Sequence, residues 1–543
     1  MGKIQLCLLD CTSIQRFVFG SNKLKTNIGA SQIVADVYEK SIPTALIDIG
    51  LKDVPQRFEN WKNDQTGVIE LLVNNSQFLW ETGYVGGGSA LLLFRDNLAE
   101  KFVATWTRKL LLDAPSLRPA VAIWNPEINT TSGDISKEVL EELFSKHLTR
   151  NKNRYIPETN ILPQGITAEC PVSGLSAEVY DKTSKRWISA IVKNKIELSD
   201  EASIRLHKKF KNALKWQKAK TGITYRFSDD LENLGQSYQE ANHLGIVHID
   251  GNSMGQAFKN CSGLIERRQL SKRVDNAVFN SMEVTIKALI DKLSVDNKSG
   301  LRDILKFKNN ENDLLPFRPI IVNGDDITFI CDARISFFLA ETFMRAFASE
   351  KACIRDSEGN ETEQNLSSCA GIAISKTKYP FYRGYMLAEQ LCARAKEEGR
   401  KNNSSWLDFH ISYRGLSESL EEMRKQQYLF DDLSLIHRPW QITETATKNS
   451  FGELKKALKS MRDDEGTQWP RSKWHELAAT LTQGIEATQE FLKLVNARNL
   501  HLPPIAQITG AAATGWAGKV TPYFDVLEIM DFYPKCLLDE EEK

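Results

Sequence analysis

Short apolar runs closed by a carboxylate occur at two comparable places in the chain. LCLLD ends at Asp10, and IVHID, from Ile246 to Asp250, has the same form; each reads as a strand followed by a polar turn and an aromatic residue. Further along both stretches, an apolar approach, a four-residue tight turn and a second apolar run predict a hairpin. The first is YVGGGSALLLFRD, Tyr84 to Asp96, and the second IVNGDDITFICD, Ile321 to Asp332. Apolar residues then recur at three- and four-residue spacing, which predicts helices over NLAEKFVATWTRKL from Asn97 and RISFFLAETFMRAF from Arg334. A strand follows each: RPAVAIW, Arg118 to Trp124, and CAGIAIS, Cys369 to Ser375.

This is a diverged internal duplication, and its order of strand, helix, hairpin, helix, strand predicts a ferredoxin-like palm in each copy. The register agrees, since Asp10 and Gly88 are 78 positions apart and Asp250 and Asp325 are 75 apart. Between the copies lies a polar, Lys-rich stretch with helical segments such as EVLEELFSKHL and SIRLHKKFKNALKWQKAK. The expected fold class is α+β, with two ferredoxin-like palm domains, an insert domain and a helical C-terminal domain. The first palm takes residues 1–125, the insert 126–235, the second palm 236–414 and the C-terminal domain 415–543, ending in an acidic DEEEK tail.

A chain of 543 residues with 41% apolar and 9% aromatic residues buries several cores and is not disordered. Its 70 Lys and Arg balance 70 Asp and Glu, which excludes a globally basic nucleic-acid coat, so any nucleic-acid binding must be local. The apolar stretch near the N-terminus is shorter than the core of a signal peptide, and no run reaches the ~18 to 20 apolar residues of a membrane helix. The expectation is a cytoplasmic protein with no membrane partner. Nine scattered cysteines include no pair at two-residue spacing and read as reduced, mostly buried thiols. CPVSG, Cys170 to Gly174, looks like half of a zinc-ribbon knuckle with Ser173 in place of the second cysteine, a remnant for which no structural zinc is expected.

The two copies differ at their turns. GGGS, Gly86 to Ser89, has no carboxylate and marks the first palm as degenerate; NGDD, Asn323 to Asp326, has two. In a palm the end of the first strand lies beside the hairpin turn, so Asp250, Asp325 and Asp326 are expected to converge as the catalytic residues. Clustered carboxylates raise one another's pKa, and two Mg²⁺ or Mn²⁺ ions bound by these three oxygen ligands relieve that penalty. Such a centre suits in-line attack of a ribose 3′-hydroxyl on an α-phosphate. An isolated Asp-Asp turn is more often merely solvated; the duplicate frame and Asp250 favour the site.

Gly324 supplies the positive φ of a tight turn and lets a nucleotide approach the backbone, and Asn323 tolerates that conformation. DGNSMGQAF opens a helix with a Gly-punctuated turn, so the N–H groups from Gly251 through Asn252 and Ser253 to Gly255 are candidates to receive a triphosphate, although the pattern is not GxxxxGK[ST]. In AEQLCARAKEEGRKN, Leu391 and Ala395 share one helix face while Lys396 and Arg400 lie one turn apart on another, either a phosphate-binding face or a solvated one. His248 shares the face of Asp250 and reads as a core histidine rather than a base. No His-Asp dipeptide occurs, which argues against an HD-type phosphohydrolase.

Taken together, IQRFVFGSNKLKTNIGAS (Ile14 to Ser31), VHIDGNSMGQAF, NGDD and AEQLCARAKEEGRKN resemble the large palm-polymerase subunit of type III CRISPR effector complexes. The second palm is also similar to GGDEF-type nucleotide cyclases, whose last helix ends in a pattern like Ala395 to Arg400. The resemblance implies two palms, ATP or another NTP as substrate, and a cyclic oligoadenylate or related oligonucleotide as an antiviral second messenger. It implies that Asp250, Asp325 and Asp326 are metal ligands, that Lys396 contacts the triphosphate, and that the stretch containing Asn22, Lys23 and Ser31 faces the nucleotide pocket. It further implies RNA and effector subunits as partners, or a homo-oligomer. Asn323 replaces the first glycine of GGDD, the zinc-ribbon cysteines are missing and no N-terminal HD nuclease precedes the palm, which points to a trimmed variant. The alternative reading is a non-catalytic scaffold for guide RNA and partner proteins; a template-dependent polymerase ranks last, because no fingers or thumb with a long basic groove is evident.

Overall fold

The computed structural model describes residues 4–61, 72, 78–95, 97–128, 133–154, 165, 167–234, 242–294, 300–305, 313–356, 358–413, 419–443, 445, 447, 449–463 and 469–538. The expected boundaries near 235 and 414, Asp96 and the acidic tail lie outside the described residues.

The first palm begins with β1 (Ile4–Thr12), α1 (Ile14–Phe19) and α2 (Leu24–Glu39). The expected hairpin, β2 (Trp80–Gly86) and β3 (Ser89–Arg95), then α3 (Leu98–Asp113) and β4 (Arg118–Trp124) complete an antiparallel sheet in the order β2-β3-β1-β4. Alternation along β1 sends Cys7, Leu9 and Cys11 into a core shared with α2 and α3, and Ile4, Leu6 and Leu8 to the opposite face.

The segment between the palms divides its apolar residues among its neighbours. Ile135, Leu140, Leu143 and Leu148 cover the face of the first sheet opposite α2 and α3. A small hairpin, β5 (Val179–Asp181) and β6 (Arg186–Ile188), leads into α4 (Ala190–Lys209), whose Leu198 and Ala202 pack on the first-palm core. Phe210, Ala213 and Leu214 join the core of the second palm instead. Cys170, Ile188 and Val192 form a small cluster of the segment's own.

The second palm repeats the order with β7 (His243–Gly251), α5 (Met254–Asn260), α6 (Leu264–Leu293), β8 (Phe317–Asn323), β9 (Asp326–Asp332) and α7 (Ala333–Ser349). One ribbon is extra: β10 (Lys351–Arg355) and β11 (Glu361–Asn365) intervene before β12 (Ser368–Lys376), so the strand expected directly after α7 comes later. ETEQN, the sequence of β11, has no apolar alternation by which to read a strand. α8 (Phe381–Asn402) then crosses to β13 (Trp406–Ile411), which pairs parallel to β12.

Beyond it are α9 (Leu420–Tyr428), β14 (Trp440–Gln441), α10 (Phe451–Asp463), α11 (Arg471–Leu481), α12 (Ile485–Asn496) and α13 (Tyr523–Ile529). Two residues of this mainly helical part, β14, finish the palm sheet in the order β8-β9-β7-β12-β13-β14. Its helices share one core with the second palm, where the Phe337 ring stands 6.3 Å from those of both Phe451 and Tyr533. All nine cysteines are free thiols, seven of them buried. Among the described residues no helix is long and apolar enough to cross a membrane.

Candidate active site between the two palms

The period of two along β7 decides which groups meet. Val247 and Ile249 enter the core under α6 and α7, while Leu244 and Ile246 enter the core shared with α8 and the first palm. His248 and Asp250 lie on that second face, at the end nearer the hairpin turn. β9 runs antiparallel to β7 in a register that sets Asp326 opposite Asp250. The two-residue turn Gly324-Asp325 closes the β8–β9 hairpin between Asn323 and Asp326, with Gly324 at φ +58° as expected and Asn323 exposed.

Gly251 donates its N–H to the Asp325 carbonyl at 3.1 Å. A methyl group at Gly251 would stand 2.9 Å from the Asp325 Cβ, so only glycine admits this approach. The three aspartates, distant in sequence, are thus brought together. The Asp325 carboxyl is pushed up to about 6 by burial, then by the charge of Asp250, to which it is also hydrogen-bonded. Asp326 is pushed up to about 8, by burial first and then by Asp250, Asp325 and Glu389. Its Oδ1 atom is buried without a hydrogen-bond partner, yet 35% of its side chain and 33% of that of Asp250 stay exposed, so a ligand can reach both.

Lys396 of α8 places its Nζ 2.6 Å from Asp250 Oδ2. Among the described residues no three His, Cys, Asp or Glu side chains already form a cage for a metal ion, and the Lys396 ammonium is the counter-charge beside Asp250. Leu391 and Ala395 are buried on the opposite side of α8, as their spacing predicts, and Arg400 is exposed one turn beyond Lys396.

In the turn expected to receive a triphosphate, two of the N–H groups already have backbone partners. The N–H of Gly251 is committed to Asp325, and that of Asn252 donates to the Ser367 carbonyl at 2.9 Å. The Asn252 side chain, 2% exposed, donates to Ser367 Oγ at 3.0 Å and to the Ser404 carbonyl at 2.9 Å, so it locks the turn. Ser253 has φ +57° and, with Met254 and Gly255, opens α5.

The first-palm residues divide likewise. Asn22 and Lys23 are exposed at the start of α2, whereas Ser31 donates its hydroxyl to the Ile320 carbonyl of β8 at 2.8 Å and ties the two palms together. Reciprocally, Arg268 of α6 donates to the carbonyls of Thr82 and Gly83 in β2. The two hairpin turns face one another: a methyl group on Gly324 would lie 3.8 Å from the Cα of Gly87. In the first palm Asp10 takes the place of Asp250, opposite Ser89, and is paired with Lys152 at 2.8 Å.

Sequence reasoning missed Glu389 and Tyr385. Burial, then the charge of Asp250, raises the Glu389 pKa, and Gln15 of α1 hydrogen-bonds its carboxylate. The Tyr385 ring stacks on Phe19 at 3.8 Å and meets His248 edge-on at 5.7 Å. A signal was present, because positions 385, 389 and 396 recur at helical spacing on the face of α8 that carries Lys396. His248 is a core histidine as read: it shares a 3.1 Å hydrogen bond with Thr328 Oγ1, and burial pushes its pKa down to about 4.

Two palms joined turn to turn, one bearing clustered carboxylates, define a double-palm protein. Residues 243–405 match the family described as Cas10/Cmr2, second palm domain, so this part of the chain is a Cas10-like palm. No curated protein matches. Among solved structures, one described as a Csm1-Csm4 cassette in complex with pppApApA aligns at 13% identity and TM-score 0.52, covering 99% of this chain and 69% of that one. A Csm1-Csm4 cassette in complex with cA4 aligns at 14% identity and TM-score 0.51 over 98% and 70% of the two chains. Csm1 in T.onnurineus aligns at 12% identity and TM-score 0.52 over 99% and 69%. At these identities the shared property is the fold.

Proposed function

We propose that the second palm catalyses nucleotidyl transfer, making a cyclic or linear oligonucleotide second messenger from ATP or another NTP. The observation that carries this reading is the convergence of Asp250, Asp325 and Asp326, with Asp250 and Asp326 still partly exposed and two of the three carboxyls held above their ordinary range. The likeness to Csm1-Csm4 cassettes described in complex with pppApApA and cA4 supports the choice of adenine nucleotides and of an assembly with another subunit.

The donor set fits a divalent metal: it is all carboxylate, carries excess negative charge and includes the orphaned Oδ1 of Asp326. Asp250, Asp325 and Asp326 would hold two Mg²⁺ or Mn²⁺ ions, which supply charge neutralisation at the α-phosphate and lower the pKa of the attacking hydroxyl. The protein's own groups do the rest. Lys396, released from Asp250, meets the triphosphate; Gly251 and Gly324 keep the floor of the site free of side chains; His248 and Tyr385 wall its inner side against water. The reaction takes a second nucleotide, whose 3′-oxygen forms a bond to the α-phosphorus as the bond to pyrophosphate breaks and the hydroxyl proton is lost.

The test is incubation of the purified protein with each NTP and with mixtures, with Mg²⁺ or Mn²⁺, beside the Asp325→Ala/Asp326→Ala variant, and with product masses as the readout. An oligonucleotide product that disappears in the variant is expected. No product even with RNA and partner subunits added would overturn the reading in favour of a scaffold.

A further inference from the structure

The β5–β6 hairpin belongs to the segment between the palms and plays no part in the chemistry above. Its strands pair Val179 with Ile188, Tyr180 with Trp187 and Asp181 with Arg186. Alternation turns Ile188 inward onto Cys170 and Val192 and turns Tyr180 and Trp187 outward as a cross-strand pair. The two rings meet edge to face at 5.6 Å and remain 48% and 53% exposed, a large aromatic surface left in water.

The cations around this pair outnumber the carboxylates. Lys182, Lys185 and Arg186 are exposed, and among the described residues none of them is held in an ion pair. The nearby carboxylates are engaged with backbone. Asp181 accepts from the N–H groups of Thr183 at 3.1 Å and Ser184 at 3.0 Å, and Glu178 accepts from the Ala190 N–H at 3.0 Å. Lys23, exposed at the start of α2, is near enough to act on Asp181 through its charge. In a chain of zero formal charge this is a local basic frame around two stacking rings.

We propose that the β5–β6 hairpin is a docking platform for single-stranded nucleic acid, with Tyr180 and Trp187 stacking on unpaired bases and Lys182, Lys185, Arg186 and Lys23 facing the phosphates. Aromatic rings interleaved with cations bind single strands of any sequence, because every base has a π-face and every linkage a negative charge. A duplex hides those faces in its own stack, so the platform discriminates by strandedness. Two rings alone fall far short of the roughly 800 Å² per partner of a specific protein interface, which argues for a stacking ligand over a folded protein.

Fluorescence anisotropy of the full chain tests this, using labelled oligo-U, labelled oligo-dT and an RNA duplex of equal length, each across a series of salt concentrations. Both single strands are expected to bind more tightly than the duplex. Tyr180→Ala/Trp187→Ala is expected to weaken single-strand binding about ten-fold or more, while Tyr180→Phe/Trp187→Phe largely retains it. Lys182→Glu/Lys185→Glu, which leaves the ring pair intact, is expected to weaken binding and to flatten its dependence on salt. If the alanine variant loses the hairpin, the phenylalanine and glutamate variants still decide. Wild-type protein that binds no single strand, or variants that bind as the wild type does, would overturn the proposal.

Discussion

Asp326 makes the cost of assembling the site measurable. Its carboxyl is pushed up to about 8 in the folded protein against an ordinary value of 3.8, so folding takes up a proton between those two values. Because the folded state binds more protons there, the metal-free protein loses stability as pH rises from about 4 to about 8; below that window both states are protonated and the penalty is gone. Asp326→Asn removes this titration. The variant is expected to unfold at a higher temperature than wild type at pH 8 without metal, with the gap closing at pH 4. Thermal unfolding across the pH range checks this, and a wild type more stable than the variant at pH 8 would refute it. The three aspartates were legible from spacing and the palm frame; the counter-charge of Lys396 on Asp250 and the approach of Glu389 were not, since both are set by how α8 lies across β7.

At the scale of elements, the brace between palms depends on one close helix contact. A methyl group at Gly29 in α2 would stand 1.6 Å from the Lys195 carbonyl oxygen of α4, and backbone cannot yield as a flexible side chain does. Lys195 itself donates to the Phe17 carbonyl at 2.7 Å and lies 3.9 Å from the centre of that residue's ring, so α1, α2 and α4 shift together or not at all. Gly29→Ala is expected to destabilise the protein by about 1–3 kcal/mol, read as a lower urea midpoint at unchanged slope. An unchanged midpoint would show that the α2–α4 contact carries no such weight. The hydrophobic pattern of α4 announces an amphipathic helix, but nothing in it names α2 as the surface it covers.

At the scale of the molecule, the C-terminal helices are held to the second palm by a buried ion network as well as by apolar packing. Arg438 pairs with Glu528 at 2.6 Å and with Asp525 at 3.3 Å, all three buried, while Arg424 pairs with Asp408 of β13 at 2.7 Å. Arg438 also donates to the Phe409 carbonyl at 2.9 Å, linking β13 to α13. Arg438→Ala leaves two carboxylates buried without their counter-charge and is expected to cost about 3–5 kcal/mol. Urea unfolding measures the loss, and limited proteolysis is expected to cut first within the C-terminal helices. A variant as stable and as resistant to protease as wild type would show that apolar packing alone holds them.

The sequence by itself determined the two palms, their order of elements, the positive φ of Gly324 and the meeting of Asp250 with Asp325 and Asp326. The elements and the turn follow from periods of 2 and 3.6 and from turn chemistry, which are local and therefore written in neighbouring residues, and the meeting of the aspartates follows from the palm order those elements spell. Tertiary structure alone decided that the GGGS and NGDD turns face each other, that Ser31 and Arg268 tie each palm to the other's hairpin, that Asn252 is buried in the turn, and that β14 from the C-terminal part finishes the palm sheet. Each of these joins surfaces far apart in the chain, where the gain comes from shape and charge matched across space, and no period along the chain records which surface meets which.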